Sequence, residues 1–219
     1  MRGTAVLREV ATPVGLARTT TEGPAGAPAL VLGHGAGAGT GVQAPDLLAA
    51  RDAALQLGLR VVRVEQPWLV RGRRVAEAPA RLDQAWTAVL RSLDGPLVVG
   101  GRSAGARVAC RCASAGPTGT PALGVLALAF PLHPPSRTGT SRLAELLTPD
   151  LPVLVVQGER DAFGVPEPAP GVEVEVVRGA DHAFRVRRLD GRTASGVAAE
   201  ITELVARWLA VLLGAQTET

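Results

Sequence analysis

Lysine is absent from the sequence, so all 23 basic side chains are arginines. This absence excludes a Walker A phosphate loop, whose lysine reaches the nucleotide phosphates, and any mechanism that forms a Schiff base on a lysine amine. Tyrosine is also absent, and the aromatic side chains are limited to three phenylalanines and three tryptophans. Since the arginines are scattered and few rings can stack on bases, we expect no nucleic-acid partner.

Cysteine is scarce, with Cys110 and Cys112 as its two occurrences. They lie two positions apart in a segment with a helical pattern, where side chains at this spacing point to different faces, so we expect buried thiols rather than a disulfide. No group of cysteine, histidine and carboxylate residues has the spacing of a metal site. We therefore expect neither a metal nor a cofactor.

Long hydrophobic runs are missing too. Those present, such as Leu123–Leu132, fall well short of the roughly 18 residues that span a bilayer. The start of the chain, Met1–Val10, mixes Arg and Glu with apolar residues and does not resemble a secretory signal. We expect a cytoplasmic protein without a membrane partner, and the sequence leaves the oligomeric state open.

The length of 219 residues predicts one domain over residues 1–219, since single domains commonly reach about 200–250 residues. Hydrophobic residues make up 47% of the chain and charged residues 20%, a balance typical of a globular protein with a sizeable core. The 26 glycines and 17 prolines predict many turns.

Short apolar runs alternate with amphipathic stretches along the chain. The runs predicted to be buried strands are Ala29–Leu32, Leu59–Val64, Leu97–Val99, Leu123–Phe130, Val153–Val156 and Val172–Val177. Helical spacing of apolar residues occurs at Leu47, Leu48 and Leu55, at Leu82, Trp86, Val89, Leu90 and Leu93, and at Ile201, Leu204, Val205, Trp208 and Leu212. The alternation predicts an α/β fold with a mostly parallel central sheet flanked by helices, after an edge hairpin of Ala5–Val10 and Val14–Thr19.

In such a sheet the functional site lies at the carboxyl ends of the strands. The predicted strand Leu97–Val99 leads into Gly101-Arg-Ser103-Ala-Gly105, and a helix is predicted to follow as far as about Ser114. A serine flanked by glycines at a strand-to-helix turn is typical of a nucleophile elbow, because the tight turn leaves no room for larger side chains on either side. A glycine-serine turn that caps a helix gives the same pattern.

A serine nucleophile needs a base and an acid that orients it. His182 follows the last predicted strand, so its imidazole can reach the end of the sheet. Asp161 follows the strand Val153–Val156 and is the candidate to orient the ring and stabilise the imidazolium. The chain order of Ser103, Asp161 and His182 is the order that the nucleophile-elbow fold uses.

Two other acids are alternatives to Asp161. Glu159 could take its place, although we expect it to form an ion pair with an arginine. Asp181 lies beside His182 and is expected to hydrogen-bond within its own loop.

The glycine-rich stretch Gly33–Gly39 follows the strand Ala29–Leu32 and lets the backbone lie close to a ligand. We expect the N–H groups of Ala36 and Ala104 to form the oxyanion hole. His34 is expected to anchor this loop by hydrogen bonding, and it is also a candidate substrate contact.

The same loop fits a loose dinucleotide fingerprint, Gly33-x-Gly35-x-x-Ala38, with Glu65 as a ribose-binding acid. Against this alternative, residues 1–28 precede the strand that should open a nucleotide fold, and Gly39, Gly41 and Pro45 delay the helix. Nucleotide binding is therefore the weaker hypothesis.

Two further candidates for substrate binding follow other strands. Arg71 leads an arginine group with Arg73 and Arg74 beyond the strand Leu59–Val64, where it could bind an anionic part of the substrate or lie in solvent. His133 follows the strand that ends at Phe130, in a proline-rich stretch near the predicted site, and is a candidate pocket residue.

Together these motifs resemble a small α/β-hydrolase-like family related to the dienelactone hydrolases, seen in bacteria and in a testis-expressed eukaryotic protein. They are also similar to the hydrolase-like region of a subunit of a chromatin acetyltransferase complex. The resembling stretches are Gly33–Gly39, Gly100–Arg107, Pro131–Pro135, Gln157–Asp161 and Gly179–Phe184. The resemblance implies an α/β-hydrolase fold without a large lid, with Ser103, Asp161 and His182 at the triad positions.

The sequence departs from the family pattern at Ala104, where Met is common, and at Ala106, where Gly is common. Both changes affect the shape of a pocket without removing a catalytic group. We predict a carboxylesterase-like serine hydrolase that forms an acyl-enzyme with a small acyl ester. The alternative is a binding or scaffold protein with the same fold and an idle triad, since one fold hosts many functions. The two differ in whether Ser103 reacts.

Overall fold

Eight strands form one sheet in the computed structural model, which describes residues 5–37, 41–116, 119, 121–134 and 140–215. The strands are β1 (Val6–Thr12), β2 (Gly15–Glu22), β3 (Ala29–Gly33), β4 (Arg60–Glu65), β5 (Leu97–Arg102), β6 (Val125–Leu128), β7 (Val153–Gly158) and β8 (Val172–Val177). The helices are α1 (Pro45–Gln56), α2 (Pro67–Val70), α3 (Pro79–Arg91), α4 (Ala104–Arg111), α5 (Leu143–Leu146) and α6 (Ala194–Gly214), with short 3-10 turns at Gly41–Gln43 and Arg188–Asp190.

The strand order across the sheet is β1-β2-β4-β3-β5-β6-β7-β8. The hairpin β1-β2 is antiparallel and pairs antiparallel with β4, whereas β4, β3 and β5 to β8 are parallel. From β3 the chain first moves to β4 on one side and then crosses to β5 on the other. The carboxyl ends of β3 and β5 therefore flank the point where the direction of winding reverses, where such sheets bind ligands.

The central strands are buried on both faces, which explains their continuous apolar sequences. Successive residues of these strands face opposite sides of the sheet and so pack into two hydrophobic cores, one on each face. Val31 and Val99 pack on one face with Trp86 of α3, and Leu30 and Val98 pack on the other with residues of α1 and α6. The alternation of strands and helices read from the sequence is thus confirmed.

Some boundaries differ from the sequence prediction. Strand β5 continues to Arg102, three residues past the predicted end, because it pairs with both β3 and β6. Strand β6 covers only Val125–Leu128, since Ala129 takes a left-handed backbone conformation with φ of 46° and ends the ladder. Helix α4 ends at Arg111 rather than near Ser114.

The segment between β6 and β7 carries the short helix α5. This helix is attached to α4 through the Glu145 carboxylate. Arg107 and Arg111 of α4 donate to the two oxygens of that carboxylate at 2.6–2.8 Å. Within the described part of the chain, no helix is long and apolar enough to span a bilayer.

Two glycines let the turn after β5 pack directly on β3. A Cβ atom on Gly105 would lie 2.4 Å from the carbonyl oxygen of Gly33, and one on Gly101 would lie 2.6 Å from the same oxygen. No side chain fits at either position without moving backbone. The start of α4 is therefore held against the end of β3.

We expect Gly105→Ala to lower the free energy of unfolding by about 1–3 kcal/mol, because its methyl group forces the two backbones apart. Urea denaturation measures this change. Gly214→Ala is the control, since a Cβ there meets nothing within 4 Å, and its effect should stay within about 0.5 kcal/mol. Equal stability of Gly105→Ala and the unmodified protein would contradict the close packing.

Candidate active site

Ser103 stands at the sharp turn between β5 and α4. Its φ of 53° and ψ of −112° lie in a region that residues with a Cβ rarely occupy, a conformation that costs on the order of 1–3 kcal/mol. The surrounding structure enforces it, since the Ser103 N–H donates to the carbonyl oxygen of Leu128 at 2.9 Å. The turn places the Ser103 side chain beyond the end of the strand.

His182 and Asp161 meet Ser103 at this end of the sheet. The Nε2 atom of His182 lies 3.1 Å from Ser103 Oγ, and its Nδ1 atom lies 2.7 Å from Asp161 Oδ2. The three side chains thus form one continuous hydrogen-bonded chain from hydroxyl to carboxylate. An imidazole placed in this way can accept the serine proton while the carboxylate holds the opposite ring nitrogen.

The loop that carries His182 is held by Asp181, in the loop-bonding role expected of it. Asp181 Oδ1 accepts the N–H groups of Ala183 and Arg185 at 2.8 and 2.9 Å. The ring of Phe163 packs edge-on against the His182 ring, with centroids 4.5 Å apart. These contacts restrict the imidazole to a narrow range of orientations.

The side chain of Asp161 is completely buried and has several donors. Oδ1 accepts the Phe163 N–H at 2.9 Å, and Oδ2 accepts from Gln157 Nε2 at 2.7 Å in addition to His182. A buried carboxylate without donors would be very costly, so these bonds are what permit an acid at this position. Gln157 is itself fully buried, and its Nε2 atom also lies 3.1 Å from the carbonyl oxygen of Phe130 and 3.0 Å from that of Gly164, so its two hydrogens are shared among three acceptors.

Arg102 connects the neighbouring parts of the site. Its Nη2 donates to the carbonyl oxygen of His182 at 2.9 Å, and its Nε lies 2.8 Å from Asp46 Oδ2. Burial raises the pKa of Asp46, and the Arg102 charge offsets part of this rise. The residue that precedes Ser103 therefore positions the histidine loop and neutralises a buried acid at the start of α1.

Ala36 and Ala104 line one narrow cavity beside Ser103, together with the rings of Trp68 and Trp86. Among the described residues, neither the Ala36 N–H nor the Ala104 N–H has a hydrogen-bond acceptor. Two unpaired backbone donors at one cavity are what binding of a negatively charged oxygen requires. Ala38 and Gly39, later in the same glycine-rich loop, lie outside the described residues.

His34 is buried beneath this loop and uses both ring nitrogens. Nδ1 donates to the carbonyl oxygen of Gly35 at 2.8 Å, and Nε2 accepts the N–H of Gln66 at 3.0 Å. These bonds assign the neutral tautomer, and burial lowers the pKa of His34. The ring lines the narrow cavity, but it has no nitrogen left for a polar contact with substrate.

Arg71 and His133 lie away from the narrow cavity. Arg71 donates to the carbonyl oxygen of Val14 at 2.8 Å and to Glu77 at 2.7 Å, which ties its guanidinium to the β1-β2 hairpin. The His133 N–H donates to the carbonyl oxygen of Phe163 at 2.8 Å, so His133 braces the loop after Asp161. Pro135, which ends the proline-rich stretch, lies outside the described residues.

The expectation for Glu159 is wrong. Its carboxylate accepts the Gly179 N–H at 2.7 Å and, in the described part of the chain, forms no ion pair with an arginine.

Burial raises the pKa of the Cys110 thiol to about 12 and that of the Cys112 thiol to about 11, so both thiols remain protonated at neutral pH. The described residues contain no group of three or more metal-ligating side chains.

Sequence reasoning assigned no role to Gln157, Arg102 or Phe163. Gln157 and Arg102 do stand inside the stretches that carry the resemblance. A polar side chain at the end of an otherwise apolar buried strand was the available signal for Gln157. Nothing in the sequence pattern marks Phe163, whose contact with His182 depends on the path of the loop.

Comparison with known proteins places the chain among related folds. The sequence model of a family described as alpha/beta hydrolase domain matches residues 26–210. An alpha-beta serine hydrolase homologue from Coxiella burnetii superposes with a TM-score of 0.68 at 20% identity, covering 95% of this chain and 98% of that one. No curated protein matches the chain.

Two further solved structures have the same architecture. An α/β serine hydrolase without a lid from Xanthomonas campestris has a TM-score of 0.69 at 18% identity, covering 95% of this chain and 96% of that one. The dienelactone hydrolase of Anabaena variabilis has a TM-score of 0.67 at 14% identity, covering 94% and 97%. These likenesses and the family match confirm the predicted α/β-hydrolase fold.

We expect the buried neutral His34 to make stability fall in acid. Its pKa is lower in the folded protein than in the unfolded chain, so protons bind preferentially to the unfolded chain as the pH drops below about 6.5. Urea denaturation between about pH 7.5 and pH 5 measures the loss, which can reach roughly 1.4 kcal/mol per pH unit for one histidine. His34→Gln removes this titration and should show a shallower pH dependence. An identical slope in both proteins would contradict the assignment.

Proposed function

Because the chain belongs to the alpha/beta hydrolase domain family, we propose that it is a serine hydrolase that cleaves small acyl esters through Ser103, His182 and Asp161. The observation that carries the proposal is the continuous hydrogen-bonded chain between these side chains, with Ser103 on a strained turn at the end of β5. A single domain over residues 1–219 and a cytoplasmic location are parts of the same proposal.

The reaction begins with attack of Ser103 Oγ on the ester carbonyl carbon. His182 Nε2 accepts the hydroxyl proton as the new C–O bond forms, and Asp161 stabilises the resulting imidazolium through Nδ1. The negative charge passes to the carbonyl oxygen, which the N–H groups of Ala36 and Ala104 bind. The distance of 3.1 Å between Ser103 Oγ and Nε2 is suited to the first proton transfer.

Collapse of the tetrahedral intermediate breaks the bond to the leaving oxygen, which takes the proton from His182 and departs as an alcohol. Water then gives a proton to His182 and attacks the acyl-enzyme. The second collapse releases the carboxylic acid and returns the proton to Ser103 Oγ. Each proton that His182 accepts is given back within one turnover.

The narrow cavity has a volume of about 10 Å³, which is about the room that one oxygen atom with its hydrogens needs. Its walls include Trp68, Leu82 and Trp86, which are almost fully buried and leave little free volume beside Ala36 and Ala104. Close packing of these large rings resists enlargement of the cavity. The cavity therefore has room for the carbonyl oxygen of the ester at the N–H groups of Ala36 and Ala104, and not for an acyl chain.

We expect a fluorophosphonate probe to label the native protein, because the reagent needs only an activated serine. Ser103→Ala and His182→Ala should both lose the label, the first because the nucleophile is removed and the second because its base is removed. In-gel fluorescence measures the extent of labelling, and circular dichroism shows that each variant is folded. Absence of label on the folded native protein would refute the proposal. It would favour the alternative of a binding or scaffold protein with an idle triad, since one fold hosts many functions.

We expect Arg102→Gln to slow labelling by roughly tenfold to a hundredfold, because the His182 loop loses its anchor and small misplacements of a base are costly. The pH profile of labelling should also change as the imidazole environment changes. Arg107→Gln is the matched control, since Arg107 lies in the first turn of α4, its N–H donates to the carbonyl oxygen of Ser103 at 3.2 Å, and its side chain is similarly exposed, at 19% against 18% for Arg102. Equal effects of the two substitutions would contradict a positioning role for Arg102.

A further inference from the structure

Gln157 is a polar side chain in apolar surroundings. It lies near the end of β7, where four apolar residues precede it and every residue of the strand is buried. The exposure of Gln157 itself is 0%. A buried amide costs free energy unless hydrogen bonds replace those that it made with water. An apolar side chain would avoid this cost, so the presence of the amide is explained by the groups that it binds.

The orientation of this amide is fixed by three acceptors around its nitrogen. Nε2 lies 2.7 Å from Asp161 Oδ2, 3.0 Å from the carbonyl oxygen of Gly164 and 3.1 Å from that of Phe130. A rotated amide would place Oε1 against three oxygen atoms, none of which has a hydrogen to donate. In the observed orientation Oε1 is buried and, among the described residues, has no donor. Gln157 thus keeps a donor at Asp161 although its own acceptor stays unpaired.

The oxygen of Asp161 that Gln157 binds is the same one that binds the catalytic imidazole. Gln157 Nε2 and His182 Nδ1 each lie 2.7 Å from Asp161 Oδ2. A donor at a carboxylate oxygen favours the ionised form over the protonated form. Because the Asp161 side chain has no exposure to water, this stabilisation comes from the protein. Gln157 supplies it from a side chain that does not itself titrate.

The charge of Asp161 matters at one step of the proposed reaction. When His182 Nε2 takes the Ser103 proton, the ring becomes an imidazolium whose second proton, on Nδ1, faces Asp161. A buried carboxylate with too few donors would draw that proton onto Oδ2 and leave two neutral groups. The donor of Gln157 opposes this transfer, so both protons stay on the ring until the leaving oxygen takes one of them.

The same amide fixes the segments on either side of the acid. Gly164 follows Phe163, whose ring packs against the His182 ring with centroids 4.5 Å apart. Phe130 lies just beyond the end of β6. The contacts of Nε2 with both carbonyl oxygens hold the loop after Asp161 against the sheet. One side chain therefore sets the position of the carboxylate and supports the ring that packs on His182.

We propose that Gln157 is a positioning residue for the reaction, which keeps the Asp161 carboxylate ionised and aimed at His182 Nδ1 and thereby sets the pH range in which His182 acts as a base. This inference rests on the proposed hydrolase function. Gln157 acts through Asp161 and His182, so its substitution changes the rate of the chemical step rather than the binding of substrate.

The kinetic test uses hydrolysis of 4-nitrophenyl acetate between about pH 5 and pH 9. We expect Gln157→Met, of similar size but without a donor, to lower kcat by about tenfold or more and to leave KM within about twofold. Its acid limb should move to higher pH by about 0.5 to 1 pH unit, because a carboxylate that lacks this donor binds the proton of the Asp161–His182 pair more tightly.

Gln157→Glu separates the hydrogen bond from the space that the side chain fills. A protonated carboxyl group at this position can still donate to Asp161, whereas an ionised one repels it. Relative to the native protein, activity of this variant should be best retained at the acid end and fall as the pH rises. Circular dichroism shows whether both variants are folded. A purely structural role of Gln157 predicts instead the same fractional loss at every pH.

Thr202→Val is the matched control, since it also removes donation from a side chain to backbone carbonyl oxygens. The Thr202 hydroxyl lies 2.9 Å from the carbonyl oxygen of Ala198 in α6 and 3.2 Å from that of Ala49 in α1. Neither helix carries a residue of the triad. Activity of this variant should stay within about twofold of the native value at every pH.

A measurement without turnover separates this inference from the proposed function. Proton–carbon NMR spectra of the imidazole rings follow the titration of His182 in Ser103→Ala, and its signal is the one lost in Ser103→Ala/His182→Gln. We expect the midpoint to rise in Ser103→Ala/Gln157→Met. The other charged groups that contact the His182 loop or belong to it are unchanged in this comparison, namely Arg102, Glu159, Arg160, Asp181 and Arg185.

A raised midpoint supports the role of Gln157 even if the native protein hydrolyses no ester, a result that would reject the hydrolase alone. Hydrolysis by the native protein, together with an unmoved midpoint and equal losses at every pH in Gln157→Met and Gln157→Glu, would retain the hydrolase and overturn the inference.

Discussion

The close approach of the turn after β5 to the end of β3 is the constraint on which the rest of the structure depends. The carbonyl oxygen of Gly33 occupies the space where a Cβ of Gly101 or Gly105 would lie. This contact brings the glycine-rich loop and the serine turn to the same edge of the sheet, where the winding direction reverses. Unpaired backbone N–H groups and a strained serine are thereby placed side by side without any side chain between them.

The site also depends on a buried carboxylate, that of Asp161, which holds the His182 imidazole. Three hydrogen-bond donors offset the cost of burying the Asp161 carboxylate, namely Gln157, the Phe163 N–H and His182. Asp161 and Phe163 hold the imidazole of His182 in turn, and Arg102 donates to the backbone carbonyl oxygen of His182. The site is therefore preorganised, and little rearrangement is needed before a proton can move.

The sequence predicts the fold well because strands buried on both faces have continuous apolar sequences, and the ends of those strands point to Ser103, Asp161 and His182. The hydrogen-bond and ion-pair partners of individual side chains are predicted less well. The chain has 23 basic and 20 acidic side chains, so each charged group has many possible partners in the sequence. The hydrogen bond of Arg71 with Glu77 and that of the Gly179 N–H with Glu159 depend on the paths of loops, which no local sequence pattern predicts. The same holds for Phe163, whose contact with the His182 ring depends on the path of the loop after Asp161.

Trapping of the acyl group tests the central claim most directly. The protein is mixed with a short-chain 4-nitrophenyl ester and quenched in acid within the first turnovers, and peptide mass spectrometry then locates the acyl group. The account predicts an acyl group on the peptide that contains Ser103, formed as fast as the initial burst of 4-nitrophenol. An acyl group on another residue, or release of 4-nitrophenol without any acylated Ser103, would contradict it.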